Sequence, residues 1–371
     1  ATPKAACGPG SRPELGLQGR VSRADHESGR AAEGYTCNTE LVGSYTVPSN
    51  YGTVGGFKVE RYTDATGRTC AYYDTTLTYP TNLGTGESGV NVMDLSDPAN
   101  PRLTARLQTP AMLTPHESLI ASQSSGLLAA VTGNAALYPG FVDVYDLSAD
   151  CRNPQLRTAG FLGVTGHESG MSPDGKTFYT ASPGTPTITA IDLSNPALPR
   201  VLGIIPHYSH GLSISDDGNR AYLAGVGIAG AACAYAISCE VPDVPGDWGL
   251  VILDISEMSR PKMISHLDWS PPYPAPTHTT LPIPWKIMGR DILVVTDEEA
   301  QKLAPKPQAF FWVVDITEES RPTPISTFML PDGAKPTGRF GAHQPAEQVH
   351  GNTLYVTWFS GGLRAIDISD P

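Results

Sequence analysis

No apolar run in the 371 residues approaches the roughly 18 residues that a membrane-spanning helix needs. Positive charge is scarce as well. The 25 Lys and Arg stand against 37 Asp and Glu, a formal net charge of −12, which argues against nucleic acid or an anionic membrane as the main partner. There is no Gly-x-Ser-x-Gly elbow, no Walker A loop and no dinucleotide fingerprint after a strand; Gly227 to Gly230 is only a loose Gly/Ala run. The serine-hydrolase elbow, P-loop phosphate binding and nicotinamide chemistry on a Rossmann unit are thereby set aside. Cysteine is limited to six residues without zinc-finger spacing. The even count and the start at Ala1-Thr2-Pro3 are expected of a secreted or periplasmic protein after signal removal, with buried free thiols in a cytoplasmic protein as the alternative. Cys233 and Cys239 bracket five residues and are expected to pair, while Cys7, Cys37, Cys70 and Cys151 leave three pairings open. Linker-like composition is also missing: the 38 Gly and 34 Pro are spread along the chain, as expected where every repeat needs several turns.

What is present is a repeat. Asp94-Leu95-Ser96, Asp146-Leu147-Ser148, Asp192-Leu193-Ser194, Asp254-Ile255-Ser256, Asp315-Ile316-Thr317 and Asp367-Ile368-Ser369 lie 46 to 62 residues apart, each after a short β-rich run. The segment from His210 to Asp254 shows one unit clearly: an alternating run, an Asp-Asp-Gly-Asn turn, then further apolar runs. Successive hairpins at this period predict an all-β, six-bladed β-propeller with four strands per blade. The repeated Asp and Ser have the ordinary task of bonding nearby backbone N–H groups to turn the chain. Residues 1–34, polar and aperiodic, are expected to form an N-terminal arm, and residues 35–371 a single propeller domain. The run Leu41 to Thr46 matches the fourth strands of later blades and the chain ends after Asp370-Pro371, so the N-terminal strand is expected to complete the last blade and close the ring.

The runs Val90–Met93, Val142–Tyr145, Ile188–Ile191, Leu250–Leu253, Phe311–Val314 and Leu363–Ile366, each before its Asp, resemble the LVIVD-repeat family of bacterial β-propeller proteins over roughly residues 40–371. The resemblance implies the fold and says little about activity.

The chemistry lies in the histidines. His167, His210 and His343 each stand eight residues before a turn glycine (Gly175, Gly218, Gly351); His116 and His278 stand ten and eleven before Gly126 and Gly289. Residues at one phase of the innermost strands meet at the propeller axis, so these five imidazoles are predicted metal ligands for a transition metal, about one ion per chain, with Cu, Fe or Mn favoured and Zn possible. A hydrogen-bonded or loop-capping ring is the plainer alternative. His26, His207, His266 and His350 fall outside this phase. Blade 1 has Val59, flanked by Lys58 and Glu60, where the others have His; the gap leaves an open side, with Glu60 a candidate general base or Lys58 an anion contact, against an ordinary surface Lys/Glu pair. Glu117 and Glu168 follow His116 and His167 directly. Strand alternation turns each away from its own His and makes it a candidate for bonding the far ring nitrogen of a neighbouring blade's His, unless it is merely tucked between blades. Axial histidines make the arrangement similar to carotenoid-cleavage oxygenases, the methanethiol-oxidase family and some propeller polysaccharide lyases, an analogy of geometry alone. The reading is an oxidase or oxygenase for a small organic substrate; a metal-assisted lyase or hydrolase, and a non-catalytic propeller that binds a protein partner, are the alternatives. The Val226–Trp248 insertion and Pro271–Pro276 are candidate walls of one mouth.

Overall fold

A computed structural model describes residues 4–15, 21–46, 56–75, 88–133, 140–226, 248–269, 277–298, 309–330, 341–359 and 361–371. Six antiparallel sheets follow one another along the chain. Blade 1 is β1 (Val59–Thr63), β2 (Thr69–Asp74), β3 (Val90–Asp94) and β4 (Arg102–Leu107); blade 2 is β5 (Ile120–Ser122), β6 (Leu127–Val131), β7 (Phe141–Asp146) and β8 (Gln155–Phe161). Blade 3 is β9 (Ser169–Met171), β10 (Thr177–Thr180), β11 (Ile188–Asp192) and β12 (Arg200–Ile205); blade 4 is β13 (Ser209–Ile214), β14 (Arg220–Val226), β15 (Trp248–Asp254) and β16 (Lys262–Asp268). Blade 5 is β17 (Thr277–Pro282), β18 (Ile292–Asp297), β19 (Phe311–Asp315) and β20 (Thr323–Phe328), and blade 6 is β21 (Ala342–Pro345), β22 (Thr353–Trp358) and β23 (Gly362–Asp367). The innermost strands β1, β5, β9, β13, β17 and β21 touch in sequence around the axis. The chain is therefore a six-bladed propeller, and its only described helical pieces are α1 (Arg23–Glu27) and a 3-10 turn (Arg30–Glu33) in the N-terminal arm.

Local chemistry explains the repeat. At the end of each third strand the Asp Oδ1 accepts the backbone N–H two residues on, at 2.8–3.0 Å in all six copies, from Ser96, Ser148, Ser194, Ser256, Thr317 and Ser369. In blades 1 to 5 the ladder between third and fourth strands slips by one residue just before that Asp, as at Val92/Met93 and Val313/Val314. Such a bulge adds right-handed twist, which a blade needs. The middle strands are covered on both faces, as in β6, buried throughout, whereas the outer β8 is largely exposed.

The core lies between blades. Separate apolar clusters join blades 1 and 2, 2 and 3, 3 and 4, 4 and 5, and 5 and 6. Among the described residues no such cluster joins blade 6 to blade 1. That seam carries an ion pair instead, Lys58 to Glu347 at 2.6 Å, while Arg364 of blade 6 pairs with Glu14 of the arm at 2.8 Å. Residues 41–46 have no strand conformation, and Leu41 and Val42 are exposed, so blade 6 has three strands among the described residues. The strand expected from Leu41 to Thr46 to close the ring is not formed there, although Gly43 does lie against the backbone of Pro98 and Ala99 in blade 1.

Cys7 of the arm pairs with Cys37 just beyond it, and Cys70 of β2 pairs with Cys151 in the turn between β7 and β8. The second bridge staples blade 1 to blade 2, and Tyr72 donates to the Cys151 carbonyl beside it at 2.7 Å. The expected Cys233–Cys239 bridge lies outside the described residues.

Two residues 81 apart in sequence are joined by Cys70–Cys151, and a loop of that size restricts the unfolded chain by about 4 kcal/mol in the chain-entropy account. Replacing Cys70 and Cys151 together with Ser should lower the urea midpoint clearly, while replacing Cys7 and Cys37 should lower it less. Urea unfolding followed by tryptophan fluorescence checks this; equal midpoints for all three proteins would contradict the stapling role.

Candidate metal centre

The five histidines selected by repeat phase meet at the axis. His210, His278 and His343 lie within β13, β17 and β21, whereas His116 and His167 precede β5 and β9. Their rings form an arc, with centroids 4.0 Å (His116–His167), 4.5 Å (His167–His210), 3.8 Å (His210–His278) and 4.2 Å (His278–His343) apart. Phe57 stacks on His116 at 3.9 Å and Phe359 lies 4.8 Å from His343. Phenyl rings therefore flank the arc on the side where blade 1 lacks a histidine.

Glu117 sits at the hub, and this corrects the expectation from strand alternation. Period two applies only within a strand, but residues 115–118 precede β5 and His116 has φ of 52°, a turn that directs the next side chain inward. Gly133 makes room for it, since a Cβ there would lie 2.5 Å from the Cβ of His116. Glu117 is 1% exposed. Its Oε2 is 3.4 Å from His278 Nε2, 3.7 Å from His167 Nε2, 3.8 Å from His210 Nε2 and 3.9 Å from His116 Nδ1. Its Oε1 is 3.2 Å from His343 Nε2. Glu117 Oε2, His116 Nδ1 and His278 Nε2 are buried without a hydrogen-bond partner. Buried polar atoms are almost always satisfied, so three orphans facing one point are informative.

Glu168 does reach a neighbouring blade's histidine. Its Oε2 accepts from His210 Nδ1 at 3.2 Å, and its carboxylate also accepts from Thr279 Oγ1 at 3.0 Å and Gln344 Nε2 at 3.4 Å. Gly211 is needed here, because any Cβ would overlap the Glu168 carboxylate. Glu298, which sequence reasoning missed, completes the cluster at 3.9 Å from both His210 Nε2 and His343 Nε2. The available signal was the acidic pair Asp297-Glu298 at the end of an apolar strand; Asp297 is anchored by Trp312 Nε1 at 2.9 Å, which fixes where Glu298 begins.

Burial lowers the pKa of His116 and His278, and lowers that of His167 well below the usual imidazole range with help from His116 and His210. At His210 burial works the same way, but the bond to Glu168 and the charges of Glu117, Glu168 and Glu298 outweigh it and lift the ring to about 9. His343 is raised against burial by Glu117 and Glu298. Glu117 is held well below the usual carboxylate range, because His278 and His343 outweigh its burial.

Below the imidazole layer lies a second polar layer. Lys58 Nζ is 3.3 Å from Glu60 and 2.6 Å from Glu347, and both Lys58 and Glu60 are buried, so the pair is not the surface feature that an ordinary reading allows. Burial disfavours the Lys58 ammonium, but Glu347, Glu60 and Glu168 raise its pKa above the lysine value. One ammonium serves two carboxylates, and Glu347 has the shorter contact; burial and the charge of Glu347 push Glu60 up to about 8. Glu60 Oε2 also accepts the Ala121 N–H at 3.1 Å. The structure does not bring Glu60 into the histidine cluster, and Phe57 occupies the place beside His116. A cavity of about 440 Å³ opens beneath this layer, lined among others by Glu168, Thr279, Thr280, Ser213, Glu347 and His350. His26, His266 and His350 are exposed and His207 is half-buried, all outside the arc. Most of the Val226–Trp248 insertion and all of Pro271–Pro276 lie outside the described residues.

Two segments, residues 245–268 and 348–371, match the LVIVD repeat; they cover the ends of blades 4 and 6. No curated protein matches the chain. Among solved structures it is similar to Kuenenia stuttgartiensis hydrazine synthase (13% identity, 85% of this chain and 77% of that one, TM-score 0.50). The Pseudomonas aeruginosa periplasmic gluconolactonase PpgL is similar to the same degree (13%, 83% and 84%, 0.51), as is Saccharomyces cerevisiae Sqt1 (9%, 88% and 75%, 0.52). At such identities the likeness shows the fold alone.

Removing one partner of a buried ion pair strands the other, at about 3 kcal/mol or more. Lys58→Met should therefore lower stability by about that amount, and the double change Lys58→Met with Glu60→Gln should recover most of it. Urea titrations of the three proteins check this, and an unchanged midpoint for Lys58→Met would contradict the pairing.

Proposed function

We propose that the axial cluster holds a transition metal and that the protein is a metal-dependent oxidoreductase, an oxidase or oxygenase, acting on a small organic substrate in a secreted or periplasmic setting. The observation that carries this reading is the Glu117 carboxylate oxygen, buried and without a hydrogen bond, with four imidazole nitrogens 3.4–3.9 Å away. Ligand atoms bound at about 2.0–2.1 Å to a tetrahedral ion are about 3.4 Å from one another, so the spacing fits donors gathered around metal. His116, His167, His210, His278 and His343 with Glu117 would hold it, and Glu298 adds a further oxygen. That donor set is larger than the four ligands zinc takes in structural sites, and imidazole with carboxylate suits Fe, Cu or Mn. When bound, such an ion supplies redox or Lewis-acid chemistry.

The chain's own groups would do the rest. Glu168 orients His210 by accepting from Nδ1, which leaves Nε2 for the ion. Phe57 and Phe359 form an apolar wall at the side without histidine. The cavity of about 440 Å³ reaches Glu168 from the other mouth and is of a size for a small organic molecule. The two disulfides support the oxidising compartment.

Metal analysis of the protein as isolated should find bound Cu, Fe or Mn, removed by a strong chelator. The double change His167→Ala with His278→Ala should abolish retention, whereas His26→Ala or His266→Ala should not. Zinc as the native ion would favour metal-assisted hydrolysis or elimination, and no metal before or after soaking would refute the reading and favour a propeller that binds a protein partner.

A further inference from the structure

The donors outnumber what a single ion can use. Five imidazoles and the carboxylates of Glu117, Glu168 and Glu298 converge on the axis, whereas first-row metals take four to about six ligands. Nor do they converge on one point. His116, Glu117 and His167 offer atoms mutually close enough to share an ion, and so do His278, Glu298 and His343; a third set, Glu117, Glu168, His210 and His278, shares Glu117 with the first and His278 with the second. The nitrogens of His116, His167, His210 and His278 lie 3.4–3.9 Å from Glu117 Oε2. Each could share an ion with that oxygen, but His116 and His167 belong to one mutually close set and His210 and His278 to another, so one ion does not serve all four. The two oxygens of Glu117 also face different ways: Oε1 lies 3.2 Å from His343, whereas Oε2 faces His278 at 3.4 Å, His167 at 3.7 Å and His116 at 3.9 Å.

We infer that the axial site is dinuclear, with Glu117 bridging two ions. One ion is held by His116, His167 and Glu117 Oε2. The other is held by His278, His343 and Glu298, with Glu117 Oε1. His210 stands between them, with Nε2 3.8 Å from Glu117 Oε2 and 3.9 Å from Glu298 Oε2. Paired ions of this kind are usually about 3.5–4 Å apart, a distance that one carboxylate spans. A bridge explains why a carboxylate, buried among imidazoles, has one oxygen without a hydrogen bond.

The inference rests on the metal reading above, and stoichiometry separates the two. Tag-free full-length protein, stripped by chelator, is titrated with Zn²⁺ or Cu²⁺, and bound metal is counted after gel filtration. Two ions per chain are expected. Glu298→Gln combined with His343→Ala should retain one. The Cu²⁺-loaded wild type should show the broadened or weakened electron paramagnetic resonance of a coupled pair, and the one-ion variant the full signal of an isolated Cu²⁺. Saturation of the wild type at one ion overturns the dinuclear site and leaves the metal reading standing. Zero ions overturns both. Two ions in the Glu298/His343 variant places the second ion elsewhere and also overturns the inference. The wild-type count decides the matter even if the variant fails to fold.

Discussion

A carboxylate buried at the axis of a propeller must be compensated, because removing an ion from water costs several kcal/mol even after relaxation. Glu117 is that carboxylate, and much of the interior is arranged around it. The inner ends of blades 2 to 6 each deliver one imidazole toward it. Gly133 leaves space for the left-handed turn at His116 that directs Glu117 inward, and Gly211 leaves space for the second carboxylate, Glu168, behind His210. Replacing either glycine would disturb the cluster without touching a donor atom.

The repeat was legible because its signals are local. An Asx turn needs only Asp and a residue two positions on, and the same turn recurs at all six sites. The five histidines were legible for a related reason: strands that start in register around an axis place equal phases together. Glu117 was not legible, because one positive φ at His116 overrides the alternation that would have faced it away. Glu298 follows a second strand, not a first, and so falls outside the phase that selected the histidines. The pairing of Cys70 with Cys151 depends on which blades are neighbours and where their turns meet, which spacing along the chain does not encode.

Blade 1 departs from the pattern, and its departure shapes the site. It contributes Phe57 beside His116 and sends Lys58 and Glu60 to the layer beneath. The imidazole arc is thus open toward phenyl rings on one side and closed below by charges that balance one another. Phenyl rings flank the arc on one side, and the cavity that reaches Glu168 mixes polar residues such as Thr279 and Glu347 with apolar ones such as Leu212 and Leu281.

The seam between blades 6 and 1 differs from the other five in having an ion pair, Lys58 with Glu347, where they have apolar clusters among the described residues. Among the described residues the sixth joint is therefore held by charge and the other five by apolar burial, and the charged joint lies on the side where phenyl rings flank the imidazole arc.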